Sequence, residues 1–106
     1  VVRSPALMRA HVLVCRGPDC ASRGAQDVYT AVAWEVERRG LSEEIVQTQS
    51  GCVGPLCGGG PVVCCYPTGA WYAPVAPTDA AAIVERDLER GEVVHGLAAA
   101  RLEGAA

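Results

Sequence analysis

The segment GPVVCCYPTGAWY, residues 60–72, contains the strongest indication of the fold. An apolar run over residues 62–66 is followed by Pro-Thr-Gly at 67–69, and a second apolar run covers residues 70–75. Proline and glycine between two runs of strand-forming residues are typical of a tight turn. The segment therefore predicts a hairpin of two antiparallel strands.

A strand, a helix and a second strand are predicted before this hairpin. Residues 11–14 (HVLV) and 45–48 (IVQT) are short runs with strand-like composition. Residues 23–39 place apolar side chains on one helical face, and Ser22 and Gly40 are suitable residues to begin and end that helix. The apolar face consists of Val28, Ala31, Val32 and Val36. This part of the chain is therefore a β-α-β unit.

A second helix is predicted after the hairpin. Thr78 is expected to cap its N-terminus, with Asp79 in the first turn, and Gly91 is expected to end it. Its apolar stripe consists of Ile83, Val84 and Leu88. Residues 92–106 are rich in alanine with a weak pattern, so we expect a short strand or helix there and then a frayed end.

These elements make an α/β chain with the order β-α-β followed by β-β-α. A β-α-β unit joins two parallel strands by a right-handed crossover, and the hairpin adds an antiparallel pair. We therefore expect a mixed four-stranded sheet with helices packed on it, which is the thioredoxin-like arrangement. The length of 106 residues fits one domain over residues 1–106, with a core of about residues 11–95 and frayed termini.

The composition limits the classes of partner. Half of the residues are apolar, the formal net charge is −3, and all nine basic residues are arginines spread along the chain. A nucleic-acid-binding protein needs a basic face or stripe, so no nucleic-acid partner is expected. No apolar run is long enough for a membrane span, and the first ten residues do not resemble a secretory signal. We therefore expect no membrane partner and a cytoplasmic location.

Four cysteines are placed in two pairs that each follow a predicted strand. Cys15 and Cys20 form C-x4-C after the first strand, and Cys52 and Cys57 form C-x4-C after the second, with 31 residues between the pairs. Parallel neighbouring strands end at the same edge of a sheet, so the two pairs are expected to meet there. Four thiols at one point predict a metal centre.

The spacing alone leaves the kind of metal open. Two iron ions in a 2Fe–2S core bind four thiolates, and a structural zinc ion also binds four. Two features favour the 2Fe–2S cluster, namely the four-residue spacing within each pair and the glycines of the loops. Glycine lets backbone amides approach sulfur closely. A zinc-stabilised interaction module, two disulfides and buried thiols remain alternatives.

The remaining cysteines, Cys64 and Cys65, are adjacent in a predicted strand. Their side chains therefore point to opposite faces, which argues against a network of three disulfides and for a reducing compartment. We expect both to serve as small apolar residues, with a ligand or redox role as the alternative. His11 and His95 lack the spacing of a histidine-ligated cluster and are expected to be ordinary polar residues.

The chain resembles the thioredoxin-like 2Fe–2S ferredoxins, whose relatives include the small cluster-bearing subunit of respiratory NADH dehydrogenase. The resemblance covers roughly residues 11–95 and rests on the strand before Cys15, CASRG at 20–24, GCVG at 51–54 and the hairpin at 60–72. The second cysteine pair is one residue longer than the C-x3-C common in that family.

The resemblance implies that Cys15, Cys20, Cys52 and Cys57 bind the cluster. It further implies a one-electron carrier rather than an enzyme, and it suggests a homodimer. Four thiolates make the chain more acidic than its formal charge of −3, so we expect redox partners with a basic docking face. An iron–sulfur sensor or a cluster-delivery protein is the remaining alternative.

Overall fold

The computed structural model describes residues 8–51 and 60–101, apart from the side chains of Asp19 and Arg101. The strands are β1 (Ala10–Cys15), β2 (Ile45–Ser50), β3 (Val63–Tyr66), β4 (Ala70–Tyr72) and β5 (Ala98–Arg101). The helices are α1 (Pro18–Ser22), α2 (Ala25–Arg38) and α3, which combines a 3₁₀ turn (Pro77–Asp79), an α-helical turn (Ala80–Ala82) and a π-helical part (Ile83–Glu89). Of the expected frayed ends, residues 1–7 and 102–106 lie outside the described residues, and one domain over 1–106 stays a prediction.

The strands form one mixed sheet in the order β2-β1-β3-β4-β5. β1 and β2 are parallel, with Ala10 opposite Ile45 and Cys15 opposite Ser50, and the other neighbouring pairs are antiparallel. The predicted β-α-β unit and the hairpin are therefore confirmed. The prediction of four strands is wrong, because β5 pairs with β4. Its sequence, AAAR, has no strand pattern of its own, and the exposed edge of β4 provides the hydrogen-bonding partner.

The two faces of the sheet have different environments. Alternate side chains of a strand point to opposite faces, and those of Val12 and Val14 enter the main core beneath α2 and α3. The predicted helical faces are buried there: Val28, Val32, Val36, Ile83, Val84 and Leu88. Leu13 and Cys15 contribute instead to a smaller cluster on the opposite side. Burial of apolar surface in the main core holds α2 and α3 to the face of the sheet that carries Val12 and Val14.

The first long helix begins later than predicted. Ser22 does not cap it but is the last residue of the short helix α1. The N-cap of α2 is Gly24, whose φ of 97° is a left-handed conformation that glycine adopts without steric cost. The chain thus turns between α1 and α2, and this turn separates Cys20 from the long helix. At the other end, Gly40 follows the last turn as predicted, and its N–H donates to the carbonyl oxygen of Glu37.

The start of α3 also differs from the prediction. Its N-cap is Ala76 rather than Thr78, because Pro77 opens the helix and Asp79 reaches back to it. The backbone N–H of Ala76 donates to Oδ2 of Asp79 at 2.8 Å. A carboxylate at a helix N-terminus also complements the helix dipole. Across residues 8–51 and 60–101, the helices lack the length and apolar character needed to cross a membrane.

Candidate metal centre

Cys15 is the last residue of β1 and lies at the edge where β1, β2 and β3 meet. Its backbone N–H donates to the carbonyl oxygen of Val62 at 3.0 Å. Its thiol donates to the carbonyl oxygen of Gly51, with sulfur and oxygen 3.5 Å apart. The side chain is fully buried. Cys15 is thus bonded to both the residue that follows β2 and the residue that precedes β3.

Cys20 is brought to the same place by α1. The loop after β1 turns at Gly17 and Pro18, and the N–H of Ala21 donates to the carbonyl oxygen of Gly17 at 2.8 Å. This short turn directs Cys20 inward, where it is fully buried. One apolar cluster contains Cys15, Cys20, Ala25, Val62 and Cys64. The first predicted pair of ligands is therefore assembled in a dry environment.

Cys52 and Cys57, the second predicted pair, lie outside the described residues. The chain on either side of them is described, and both flanks contact Cys15 through Gly51 and Val62. The predicted meeting of the two loops is consistent with this arrangement of the flanks. Among the side chains that the structure describes, no three of His, Cys, Asp and Glu gather in a metal-binding group.

Cys64 and Cys65 occupy opposite faces of β3, and their environments differ. Cys65 is fully buried in the main core, where burial above all, and then the negative charge of Asp87, raise the pKa of its thiol well above the usual value. A thiol held in its protonated form is a poor metal ligand. Cys64 lies on the other face, opposite Leu13 and in the same cluster as Cys15.

Cys64 and Cys65 have the same expected role in the sequence analysis, but only Cys64 lies beside the predicted ligands Cys15 and Cys20. Strand alternation predicts that Cys64 and Cys65 diverge, but it does not say which of them faces the metal centre. The register of β1 and β3 decides this, because it places Cys64 two residues along from the position opposite Cys15.

The histidines behave as ordinary polar side chains in this structure. Nε2 of His11 is 2.7 Å from Oγ1 of Thr48, and β1 separates this residue from the cysteine end of the sheet. His95 is exposed in the segment before β5. Neither residue contributes to the cysteine cluster.

Arg16 adds a cation and a buried hydrogen-bond donor to this region. Its Nη1 donates to the side-chain oxygens of Gln26 at 2.5 Å and Gln49 at 3.1 Å. Its Nε is buried and has no hydrogen-bond acceptor within the described part of the chain. The buried thiols of Cys15 and Cys20 suit an iron–sulfur group, whose sulfurs also accept hydrogen bonds.

The chain is similar to curated 2Fe–2S ferredoxins. A 2Fe–2S ferredoxin of Clostridium pasteurianum is 38% identical over 78 residues, which are 74% of this chain and 76% of its own length. A 2Fe–2S ferredoxin of Aquifex aeolicus is 40% identical over 96 residues, 82% of this chain and 86% of its own length. The chain belongs to the 2Fe–2S ferredoxins. No family model matches the sequence.

The fold places the chain in the thioredoxin-like group of these ferredoxins. The crystal structure of the wild-type thioredoxin-like 2Fe–2S ferredoxin of Aquifex aeolicus has a TM-score of 0.80 and 36% sequence identity, over 89% of this chain and 99% of the ferredoxin. A second structure of that ferredoxin has a TM-score of 0.81 over 93% and 97% of the two chains. The predicted family, fold class and cofactor are thereby confirmed, as is the electron-carrier role of a 2Fe–2S ferredoxin.

Proposed function

We propose that Cys15, Cys20, Cys52 and Cys57 bind the 2Fe–2S cluster with which this ferredoxin carries single electrons between redox proteins. The observation that carries the proposal is the position of Cys15, which shares a buried cluster with Cys20 and is bonded to both flanks of residues 52–59. The bound cluster supplies a one-electron couple. One electron is accepted from a reduced partner protein and passed to an oxidised one.

The residues around Cys15 and Cys20 position the two thiols and exclude water from them. β1 and α1 hold the thiols of Cys15 and Cys20 at fixed positions. The apolar side chains of Ala25 and Val62 pack with them and exclude water. The chain is anchored to Cys15 at Gly51, after β2, and at Val62, before β3. Preorganised ligands reduce the reorganisation that accompanies metal binding.

Cys57 is proposed as the fourth ligand even though Cys64 packs in the same apolar group of side chains as Cys15 and Cys20. Cys64 is part of the β3 ladder, where pairing with β1 and β4 holds its backbone. Cys57 belongs to the glycine-rich sequence GCVGPLCGGG, residues 51–60. Glycine adopts backbone conformations that other residues rarely adopt, so such a sequence accommodates the extra residue of the second cysteine pair more easily than a strand does.

The metal content tests the function directly. Protein purified without oxygen is expected to be red-brown and to contain about two iron and two sulfide per chain. Cys15→Ser and Cys20→Ser are expected to lose most of both. A colourless wild-type protein that binds one zinc ion would contradict the proposal and favour a zinc-stabilised module.

A basic docking face on the redox partner is proposed from the charge of the chain. The formal net charge is −3 before any thiolate is counted, and four thiolates outweigh the charge of an oxidised core. Opposite charges steer two proteins together and increase the rate of association. We propose accordingly that the protein is a diffusing carrier rather than an enzyme.

A homodimer is proposed from the sheet face opposite the helices. Partly buried apolar side chains lie there, among them Leu13, Tyr66, Trp71 and Ala73. Nε1 of Trp71 donates to the hydroxyl of Tyr66 at 3.2 Å, which holds both rings against the sheet. A second copy of this face would cover apolar surface on the side of the sheet opposite the main core.

A cytoplasmic location is proposed from the placement of the cysteines. Cys64 and Cys65 are adjacent in β3 and lie on opposite faces of the sheet, an arrangement that does not suit a network of three disulfides. Secreted chains of this size with many cysteines are usually held by disulfides.

A further inference from the structure

Arg16 directly follows Cys15 and lies where the ends of β1 and β2 meet the first turn of α2. Its backbone N–H donates to the carbonyl oxygen of Ser50 at 2.8 Å. Its Nη1 donates to Oε1 of Gln26, the second residue of α2, at 2.5 Å and to Oε1 of Gln49 near the end of β2 at 3.1 Å. One guanidinium group therefore bridges the long helix and the strand that leads to the second cysteine pair.

The charge of this guanidinium is not neutralised by its hydrogen-bond partners. The amide oxygens of Gln26 and Gln49 are uncharged, and an arginine side chain stays protonated in proteins. The described side chains give Arg16 no carboxylate partner. Three other arginines are paired with glutamates, namely Arg9, Arg38 and Arg39. The centre thus has a fixed positive charge next to its first cysteine.

The Nε atom of Arg16 provides a second, independent observation. It is buried and donates to no acceptor in the described residues. A buried donor without an acceptor is unfavourable. A sulfur acceptor within hydrogen-bond reach of Nε would remove that cost, and hydrogen bonds to the sulfurs of iron–sulfur clusters raise their reduction potential.

We propose that Arg16 raises the reduction potential of the cluster, and that Gln26 and Gln49 hold its guanidinium in position. The proposal rests on the proposed function, because it takes Cys15 as a ligand. Reduction by one electron from an external reductant adds one negative charge to the centre, and no bond is made or broken in Arg16. A nearby cation lowers the energy of the more negative state, so it favours the reduced form.

The test compares reduction potentials measured by anaerobic titration followed through the visible spectrum. Arg16→Gln and Arg16→Met remove the charge, and Arg16→Lys keeps it. Arg90→Gln is the matched control, because it removes an exposed positive charge at the other end of the sheet. Arg9, which precedes β1, contacts the carbonyl oxygen of Glu89, the neighbour of Arg90. Arg90 is therefore near the end of β1 that is opposite Cys15, and a strand of this length spans roughly 17–20 Å.

The expected results differ between the two sites. Arg16→Gln is expected to lower the equilibrium constant for reduction about tenfold, which is about 59 mV for a one-electron couple. Arg16→Lys should recover most of that difference. Arg90→Gln should change the constant by less than about twofold, because its charge lies beyond the Debye length.

Three other outcomes would overturn the proposal. Equal changes in Arg16→Gln and Arg90→Gln would show that only net charge counts, and a change in Arg16→Lys as large as in Arg16→Gln would exclude a charge effect. If Arg16→Gln and Arg16→Met bind no cluster while Arg16→Lys does, Arg16 is a structural clamp and the proposal is overturned. A wild-type protein without iron would instead overturn the proposed function.

Discussion

The hydroxyl of Tyr72, in the hairpin, donates a hydrogen bond to the carboxylate of Asp87, in α3, at the centre of the main core. Oγ1 of Thr68 lies 2.9 Å from both carboxylate oxygens. The Tyr72 hydroxyl also accepts the backbone N–H of Val94 at 3.0 Å. This buried network connects the hairpin, α3 and the segment that leads to β5. Removing one member leaves buried polar groups with fewer partners.

Tyr72→Phe is expected to lower the free energy of unfolding by about 1–3 kcal/mol. The change removes the hydroxyl that bonds both Asp87 and Val94 and leaves the ring in place. Urea unfolding followed by circular dichroism gives the difference. Tyr29→Phe on the partly exposed side of α2 is the control, with an expected change within about 0.5 kcal/mol. Equal effects of the two substitutions would show that the network adds no stability.

The stability of the wild-type protein is expected to fall at high pH because of the same tyrosine. Burial, followed by the hydrogen bond to Asp87, raises the pKa of Tyr72 well above its usual value. An unfolded tyrosine releases its proton above about pH 10 while the folded one retains it, so the unfolded state then binds fewer protons and gains stability. The free energy of unfolding should decrease above about pH 10, by up to about 1.4 kcal/mol per pH unit for this group.

Unfolding midpoints in urea between pH 8 and pH 11 measure this dependence, with Tyr72→Phe as the comparison. The variant should lose the part of the slope that begins near about pH 10. A slope in Tyr72→Phe equal to that of the wild type would assign the alkaline effect to other groups. One such group is Cys65, whose pKa is also raised by burial.

Cys57→Ser is expected to lose most of its bound iron, and Cys64→Ser is expected to keep it. The reason is that Cys57 is proposed as a ligand, whereas Cys64 packs in the β3 ladder beside the centre. Iron and sulfide analysis with the visible spectrum measures both. Cys65→Ser, on the other face of β3, controls for a general effect of serine in this strand. Loss of iron in Cys64→Ser together with retention in Cys57→Ser would show that the proposed ligand set is wrong at its fourth member.

Electron transfer to a basic protein is expected to slow as the salt concentration rises. Attraction between an acidic carrier and a basic acceptor is screened once the Debye length falls to about 8–10 Å near 0.1–0.15 M salt. Stopped-flow reduction of a basic cytochrome over a range of sodium chloride concentrations measures the effect. An acidic acceptor provides the control and should show the opposite dependence. A rate with the basic cytochrome that is independent of salt would argue against a basic docking face.

Trp71→Glu is expected to convert the proposed dimer to a monomer. Trp71 lies on the sheet face opposite the main core, where a negative charge would be buried between two copies. Sedimentation velocity of the iron-loaded protein gives the oligomeric state. Trp34→Glu is a matched control, because Trp34 is 61% exposed on α2, on the helical side of the sheet. A wild-type monomer, or a dimer lost equally in both variants, would contradict the proposed interface.

Local signals in the sequence predicted much of the fold. The turn at 67–69 and Gly40 act within a few residues of their own position, and the periodic apolar residues of α2 indicate their buried face without reference to the rest of the chain. Weaker local signals were misleading at two helix starts. Ser22 and Thr78 are favourable caps in isolation, but a left-handed Gly24 and the sequence Pro77–Asp79 provide the actual starts.

The sequence by itself determined the pairing of cysteines after two strands, because spacing and strand ends are properties of the chain. It also determined that Cys64 and Cys65 point in opposite directions, since successive side chains alternate in any strand. Only the tertiary structure decided which of them lies on the same face as Cys15, because that depends on the register between β1 and β3.

The tertiary structure likewise decided the strand character of Ala98–Arg101, which comes from pairing with β4, and the burial of Asp87, whose partners are Thr68 and Tyr72 on the hairpin. These features depend on contacts between residues far apart in the chain. Local propensity contains no information about such contacts, since hydrogen-bond partners and burial are defined only after the elements have packed.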